Sequence, residues 1–395
     1  MIKTRSLVRG IGQIGVLLLL SAGAKCGILP SGTMPSLSPA STSRPAATVA
    51  LPTTVSPGIP PPFPTTVQQE TVTGETSGAL TMVTGWNLGP TNRTGFDHNY
   101  FDDMAWSPNN GALAITTFGD NMGLIVVYDV SLPEPLWSAE TGLSYSIEFS
   151  PDGDILAAGN IMPGLIQLWN GRSGHLDLEI EGNGCRVGTF LAFYPDKKTM
   201  LTGYDVGAGG ENPTTFVNSW DLESGQCTGE VIRTDGLLRA FGVDRARQWA
   251  VAAVLNVQAE VPEQVEVWDL PTRQRICAFP GTIAALSREN GTIAVFGDDR
   301  RRIEIWTVAG CRLLNSFRID MKPVSADISF DGQMLALGGD GLQLWDVVTG
   351  VKLDEFDEVM SVMGVAFSPN GHHLATVSSA PPGGRTRVSL WALAP

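Results

Sequence analysis

Short turn motifs recur along the chain from about residue 100, and this repetition constrains the fold more than any other feature of the sequence. Three copies contain Ser, Pro, Asp or Asn, and Gly in succession, and the others keep part of this pattern. Proline presets φ at the first corner of a turn, Asp or Asn bonds back to the backbone, and Gly accepts the left-handed conformation. The motifs therefore predict hairpin turns. They stand at 107–111, 150–153, 194–197, 287–291, 329–332 and 368–371, with a poor copy at 243–247.

An aromatic residue closes each repeated unit. The intervals average about 44 residues, which matches the period of four-stranded propeller blades, roughly 40–45 residues. No unit contains a long segment with the 3.6-residue periodicity of a helix. We therefore predict an all-β fold, a seven-bladed β-propeller of four-stranded antiparallel blades. The closing residues are Tyr128, Trp169, Trp220, Trp268, Trp306, Trp345 and Trp391.

The repeated units resemble those of the WD40-repeat β-propeller family, in a degenerate, bacterial-type form. Phe-Ser-Pro-Asp-Gly at 149–153 and Phe-Ser-Pro-Asn-Gly at 367–371 match the end of that family's inner strand. Trp-Asp pairs stand at 220–221, 268–269 and 345–346, with variants at 128–129 and 169–170. The resemblance covers about residues 75–395 and implies a scaffold that binds partners on its surface.

One family feature is missing from the chain. Regular members often begin each repeat with Gly-His, whose imidazole joins a buried Asp and Trp network. Here Gly174-His175 and Gly371-His372 fall in turns instead. We therefore expect these blades to rely more on apolar packing.

The ring is expected to close through an N-terminal strand. In the resembling family the outer strand of each blade follows the Trp strand, but only four residues follow Trp391. The segment 77–84 has the apolar residues of a strand and precedes the first blade. We predict that it completes the last blade and covers an otherwise unpaired edge.

The N-terminus has the pattern of an export signal. Lys3, Arg5 and Arg9 precede an apolar run over 11–24, which is short for a membrane span and typical of a secretory signal. We predict that residues 1–24 are a cleaved signal peptide, and an uncleaved anchor is the alternative. Cys26 is a candidate for lipid attachment, although Lys25 departs from the small residues that normally precede such a cysteine.

Residues 25–70 are rich in Pro, Ser and Thr and are predicted to be a disordered linker. The propeller domain is predicted to span 71–395. This order places the protein outside the cytoplasm, whether secreted, periplasmic, on the cell surface or lipid-anchored, and it suggests a bacterial envelope.

The charge of the chain argues against nucleic acid as a partner. The formal net charge is −14, and no Asp or Glu precedes Glu70, so the folded part is strongly acidic. Such a surface repels phosphate backbones. We expect a monomer that binds protein partners, with membrane contact only through the N-terminal anchor or lipid.

The partner-binding residues are expected on one face of the ring, here called the top face. It carries the connections that precede each inner strand and those between the second and third strands. Three connections of the second kind are long, at 205–215, 256–264 and 378–387, and extended loops on a rigid scaffold suit recognition. The candidate residues are Asp97, Tyr100, Asp102, Asp205, Glu211, Asn212, Glu260, Glu263, Arg300, Arg301 and Arg385.

Other clusters receive a structural interpretation. The acidic stretch 97–103 could hold Ca²⁺ but lacks the regular ligand spacing of a calcium loop, which favours a solvated loop. Arginines 300–302 could bind an anionic group, but Asp298 and Asp299 beside them favour local neutralisation. His372 and His373 are expected to be exposed and to bind no metal.

The four cysteines beyond the linker are expected to be free thiols. An exported chain could oxidise them. However, three lie on outer strands or their approaches in successive blades, and neighbouring outer strands diverge beyond the roughly 7 Å Cα limit of a disulfide. They are Cys185, Cys227, Cys277 and Cys311.

No catalytic motif appears in the sequence, and we predict no metal and no cofactor. The favoured function is a non-enzymatic interaction scaffold. One alternative is a hydrolase or lyase that uses Asp97, Asp102 or Asp205 at the central channel. Another is a module that binds polysaccharide or cell-wall material through exposed aromatic residues.

Overall fold

The strands of this protein form seven antiparallel sheets arranged as a ring. The computed structural model describes residues 76–77, 80–88, 100–119, 122–132, 134–160, 164–182, 185–188, 190–207, 213–244, 249–256, 258–281, 284–287, 291–297, 300–356, 361–378 and 386–393. Within these residues the inner strands of successive blades contact one another, and the inner strand of the seventh contacts that of the first. The predicted all-β, seven-bladed propeller is therefore confirmed.

Each of the first six blades is a meander of four strands that runs from the inner to the outer edge of the ring, and the seventh combines three such strands with two N-terminal ones. Two strands precede the first blade, β1 (Thr76–Ser77) and β2 (Leu80–Leu88). The first three blades are β3 (Tyr100–Trp106), β4 (Ala112–Gly119), β5 (Met122–Asp129) and β6 (Pro135–Thr141); β7 (Ser144–Phe149), β8 (Ile155–Asn160), β9 (Leu165–Asn170) and β10 (Leu176–Glu181); and β11 (Phe190–Phe193), β12 (Thr199–Val206), β13 (Thr214–Asp221) and β14 (Gln226–Asp235).

The remaining four blades follow in chain order. They are β15 (Leu237–Asp244), β16 (Trp249–Leu255), β17 (Glu263–Asp269) and β18 (Gln274–Pro280); β19 (Ala284–Leu286), β20 (Thr292–Phe296), β21 (Arg302–Thr307) and β22 (Arg312–Arg318); β23 (Ser325–Ile328), β24 (Met334–Gly338), β25 (Leu342–Asp346) and β26 (Lys352–Phe356); and β27 (Val362–Phe367), β28 (His373–Ser378) and β29 (Thr386–Leu393).

The seventh blade is completed by the N-terminal segment, as predicted. Strand β2 pairs antiparallel with β29 from Leu80↔Leu393 to Leu88↔Thr386. The strand begins and ends a few residues later than the predicted 77–84. The short strand β1 then pairs with β2 and covers part of its outer edge. The ring is therefore closed by residues from the two ends of the described chain.

The turn between the first and second strands is built in the same way in several blades. In the second blade, Ser150 Oγ donates to Asp152 and accepts the N–H of Ile155. Gly153 takes a positive φ of 81°. The same serine-centred bonds form at Ser107, Ser329 and Ser368.

The acidic residue after the closing aromatic shapes the hairpin between the third and fourth strands. Asp346 accepts the backbone N–H of Thr349 at 2.6 Å and its hydroxyl at 2.7 Å. Equivalent pairs join Asp221 with Ser224 and Asp269 with Thr272. The Trp-Asp pair thus combines a core residue with a turn-forming one.

The core fills the gaps between blades. A bulky residue on each outer strand packs on the closing aromatic of the next blade, which for Phe279 and Trp306 brings ring centroids to 4.3 Å. Because each gap is filled by residues from two blades, the blades cannot bury their faces separately. Three of these aromatic pairs are stacked and two are tilted; the stacked pairs are Trp137 with Trp169, Phe279 with Trp306 and Phe317 with Trp345, and the tilted pairs are Trp86 with Tyr128 and Phe356 with Trp391.

Polar groups also anchor the closing tryptophans, so the expectation of mainly apolar packing was incomplete. The indoles of Trp220 and Trp391 donate to threonine hydroxyls on the second strand, at Thr202 and Thr376. The indoles of the fourth to sixth blades donate instead to the side chain two residues earlier, at Glu266, Glu304 and Gln343.

The expectation of free cysteines was wrong. Cys185 bonds to Cys227 and Cys277 bonds to Cys311, with Cα–Cα distances of 6.2 and 6.3 Å. Each bridge joins an outer strand to a turn or connection. Because neither bridge joins two outer strands, the divergence of neighbouring outer strands does not prevent either disulfide.

The prediction of two exposed histidines is also corrected. His372 is exposed, whereas His373 begins β28, is partly buried and stacks on Trp106 with ring centroids 6.5 Å apart. Burial, with a smaller contribution from the charge of His372, holds the pKa of His373 below its usual range.

Candidate functional site

The top face carries the connections at one end of every blade. Because adjacent strands are antiparallel, the connections between second and third strands lie at the same end as those between blades. The serine-centred turns and the Trp-Asp hairpins lie at the other end, here called the bottom face.

Several predicted site residues lie outside the described residues. They are Cys26, Asp97, Glu211, Asn212 and Arg385. Tyr100 is described for its backbone alone and begins β3. The predictions for these residues remain predictions.

The connection predicted at 205–215 is shorter in the structure because the strands on both sides of it continue. Asp205 pairs with Thr215 within the ladder of β12 and β13. Its carboxylate accepts the Thr215 hydroxyl at 2.7 Å and the backbone N–H of Leu238 at 3.0 Å. Asp205 therefore joins the third blade to the fourth, and its carboxylate is engaged in structural hydrogen bonds.

Burial raises the pKa of Asp205, and the two hydrogen bonds and the charge of Arg239 oppose that increase only in part. The desolvation penalty of the charged carboxylate outweighs the attraction of its donors at this position.

Asp102 lies on β3 at an irregularity in the pairing with β4, between Phe101 and Asp103. Burial raises its pKa to about 8, with a second contribution from the charge of Asp103. The neighbouring carboxylate of Asp103 accepts the N–H of Ile147 in the second blade at 3.1 Å. Asp103 thus joins two blades, and Asp102 is a titratable group in the same inner strand.

The remaining described candidates lie on two other blades. Glu260 is exposed in the connection between β16 and β17, and Glu263 is half-buried at the start of β17. Arg300 and Arg301 precede β21, where Arg301 is exposed. Next to them, Arg302 forms an ion pair of 2.9 Å with Glu304. These candidates share the top face but lie on different blades.

The structure also shows a cleft that was not predicted, between the third and fourth blades on the top face. Its lining residues are Thr234, Asp235, Val254, Asn256, Ala259, Val261, Pro262, Gln264, Glu266 and Arg275. Of the elements that line the cleft, only the connection 256–264, which contains Asn256, was predicted as a site. The other residues come from strands that meet across the gap between blades, and comparing equivalent positions in different blades is the sequence signal that could have indicated them.

Among the described residues, no group of three His, Cys, Asp or Glu side chains could hold a metal ion. Within the same residues there is no helix long and apolar enough to cross a membrane.

No protein-family model matches this chain, and a search of curated proteins finds no significant match to its sequence.

Proposed function

We propose that this protein is an exported WD40-type propeller that acts as a non-enzymatic scaffold and binds partner proteins on its top face. The observation that carries the proposal is the gathering of connections from all blades onto one end of a closed, interlocked ring. Such a ring can hold several loops at fixed positions, which favours recognition of a large surface.

The local geometry of the repeats supports the WD40 assignment. The serine-centred turns and the aspartates of the Trp-Asp pairs form bonds that explain why these residues recur. Trp220 with Thr202 and Trp391 with Thr376 form buried pairs between the third and second strands.

Export is supported by two independent features. The chain begins with basic residues and an apolar segment typical of a secretory signal. The two disulfides are bonds that persist in oxidising compartments. The proposal therefore includes a signal peptide over 1–24 and a tether over 25–70 that holds the propeller outside the cytoplasm.

The alternative functions have less support from the described residues. Asp205, one carboxylate of the hydrolase alternative, accepts hydrogen bonds from Thr215 and Leu238 through Oδ1, which gives it a role in joining the third blade to the fourth. A polysaccharide module would present aromatic rings on the binding face, and the exposed ring of Phe330 lies in a turn of the bottom face.

A pull-down from the native envelope fraction tests the scaffold proposal. The intact propeller is compared with a variant in which only the residues between the paired strands, 207–213, 256–262 and 379–385, are replaced by short Gly-rich turns. We expect the intact protein to retain a specific partner that the variant loses, because the variant lacks the proposed contact surface.

The matched control changes the opposite face. Leu132→Ser and Val348→Ser alter exposed residues of the bottom-face hairpins and are expected to leave partner capture unchanged. Circular dichroism verifies that both variants are folded. Recovery of the same proteins by all three forms, or of none by the intact form, would refute the top-face proposal.

A further inference from the structure

The cleft between the third and fourth blades has a polar interior. Thr234 and Asp235, at the end of β14, form one side. Glu266 on β17 and Arg275 on β18 form the other side. The cleft therefore lies where the outer part of one blade faces the next.

The fourth-blade side of the cleft contains a buried carboxylate with fixed partners. The side chain of Glu266 is 4% exposed and forms an ion pair of 2.7 Å with Arg275. Its second oxygen accepts the indole N–H of Trp268 at 3.0 Å. Because both oxygens of Glu266 are engaged, its geometry is set by the fourth blade itself.

The gap between the fifth and sixth blades provides an internal comparison. In the register of the third and fourth strands, Arg275 lies opposite Trp268 in the fourth blade, and Lys352 lies opposite Trp345 in the sixth. Arg275 and Lys352 therefore occupy equivalent positions. By the same registers, Glu266 corresponds to Gln343, and Asp235 corresponds to Asp320 of the fifth blade.

In that second gap, an ammonium group joins the two blades. The Nζ atom of Lys352 lies 2.9 Å from Asp320 Oδ2 and 2.6 Å from Glu355 Oε2. The amide of Gln343 donates to Asp320 Oδ1 at 2.8 Å. The aspartate at the end of the outer strand thus receives a lysine from the next blade.

The gap between the third and fourth blades lacks this closure. Its equivalent of Glu355 is Ala278, and the second carboxylate is supplied by Glu266 instead. Arg275 is held by Glu266, and among the described residues no cation is paired with Asp235. The cleft remains open beside an aspartate whose equivalent binds an ammonium group elsewhere in the same ring.

We propose that this cleft binds a lysine side chain of the partner protein, with its ammonium group at Asp235. The inference rests on the proposed scaffold function and specifies the chemistry of one contact. Asp235 and Glu266 outnumber the single charge of Arg275, so an added cation is electrostatically favoured.

Apolar residues provide a surface for the stem of that lysine. Val254, Val261 and Pro262 line the same cleft, and Val261 is 40% exposed. Long cationic side chains bury their methylene groups along such surfaces while the charged end stays in a polar environment. The covering connection also carries Glu260 and Glu263, which add to the negative potential.

The test uses the isotopically labelled, oxidised full-length protein and N-acetyl-lysine methylamide as the probe. The amide resonances of the protein are followed by NMR during titration with the probe. The neutral N-acetyl-norleucine methylamide is the matched control ligand. We expect saturable shifts at residues 234–236, 258–261 and 263–264 with the lysine probe and none with norleucine. Equal shifts with both ligands, or none with either, would overturn the proposal.

Two variants test the role of the ammonium contact. Asp235→Asn is expected to weaken lysine binding by about three- to fivefold, the effect of losing one partly exposed charge pair. The triple variant Glu266→Gln, Arg275→Lys, Ala278→Glu copies the closed gap and is expected to abolish binding, because its own lysine would occupy Asp235. Unchanged affinity in folded Asp235→Asn would contradict the inference.

A third variant opens the comparison gap. Lys352→Ala removes the internal ammonium group and is expected to create a second site for the probe, with new shifts near residues 318–322. The absence of these shifts in the folded variant would contradict the equivalence of the two gaps. None of these titrations uses a cellular partner, so their failure is distinguishable from a failure of the pull-down.

Discussion

Five of the six closing tryptophans obtain hydrogen-bond partners in two different ways, whereas the buried indole N–H of Trp169 has no partner among the described residues. Trp220 and Trp391 use a threonine of the second strand, and three others use a Glu or Gln two residues before the tryptophan. A buried indole N–H without a partner costs about 1–3 kcal/mol. Both solutions remove that cost, but the second places a carboxylate or amide in the gap between blades, where Glu266 pairs with Arg275 and Gln343 donates to Asp320.

Asp102 provides a prediction at the scale of one residue. The pKa of Asp102 is raised to about 8 in the folded protein, from an ordinary 3.8. At pH values between these two, the folded protein therefore keeps a proton on Asp102, whereas the unfolded chain has released it. This stabilisation is fully present below about pH 4 and is lost as pH rises towards 8. Asp102→Asn should therefore gain stability relative to the wild type between pH 5 and pH 9, by up to about 4 kcal/mol, since each unit of raised pKa corresponds to about 1.4 kcal/mol.

Urea denaturation midpoints at the two pH values check this expectation. A difference between the two proteins that stays constant with pH would show that Asp102 does not hold the extra proton.

The outer strands contribute more than the edge of each blade. They provide the bulky residue that packs on the next closing aromatic, and two of them carry a disulfide-bonded cysteine. Cys277 on β18 bonds to Cys311, which lies in the turn before β22 with a positive φ of 51°. The bridge therefore joins the fourth and fifth blades beside the packed pair of Phe279 and Trp306.

We expect the double variant Cys277→Ser, Cys311→Ser to fold and to lose about 3 kcal/mol of stability, since a bridge over a loop of this length constrains the unfolded chain. Thermal midpoints of the variant and the wild type, each with and without reductant, measure the effect. Counting free thiols in the unfolded wild type gives the control. Two or more reactive thiols beyond Cys26 under non-reducing conditions would contradict the two-bridge assignment.

The whole ring depends on a pairing between distant parts of the chain. Strand β2 supplies the outer strand of the seventh blade, and its Trp86 packs on Tyr128 of the first. The N-terminal strand thus contributes to the seventh blade and to the gap that follows it. With β2 in place, every blade of the ring has its outer strand.

Truncation tests this closure. A chain that begins at residue 74 should fold, because the described strands are retained, whereas one that begins at residue 90 should expose the edge of β29 and aggregate. Size-exclusion chromatography and near-ultraviolet circular dichroism distinguish the two outcomes. A monomeric, ordered protein from the shorter chain would show that β2 is dispensable.

The sequence by itself determined the blade architecture of this protein because its signals are local. Ser150, Asp152 and Gly153 form one turn within a few residues, and the Trp-Asp pair combines burial with a hairpin in adjacent positions. The period of the closing aromatics indicated the number of blades, and the apolar residues of segment 77–84 indicated an additional strand before the first blade.

Only the tertiary structure decided the disulfide partners, the structural role of Asp205 and the cleft beside Asp235. Cys277 and Cys311 are 34 residues apart in sequence, and Asp205 bonds to Leu238 in the next blade. These contacts depend on how two blades meet across a gap. That geometry arises from the packing of the whole ring, which no local pattern of residue types specifies.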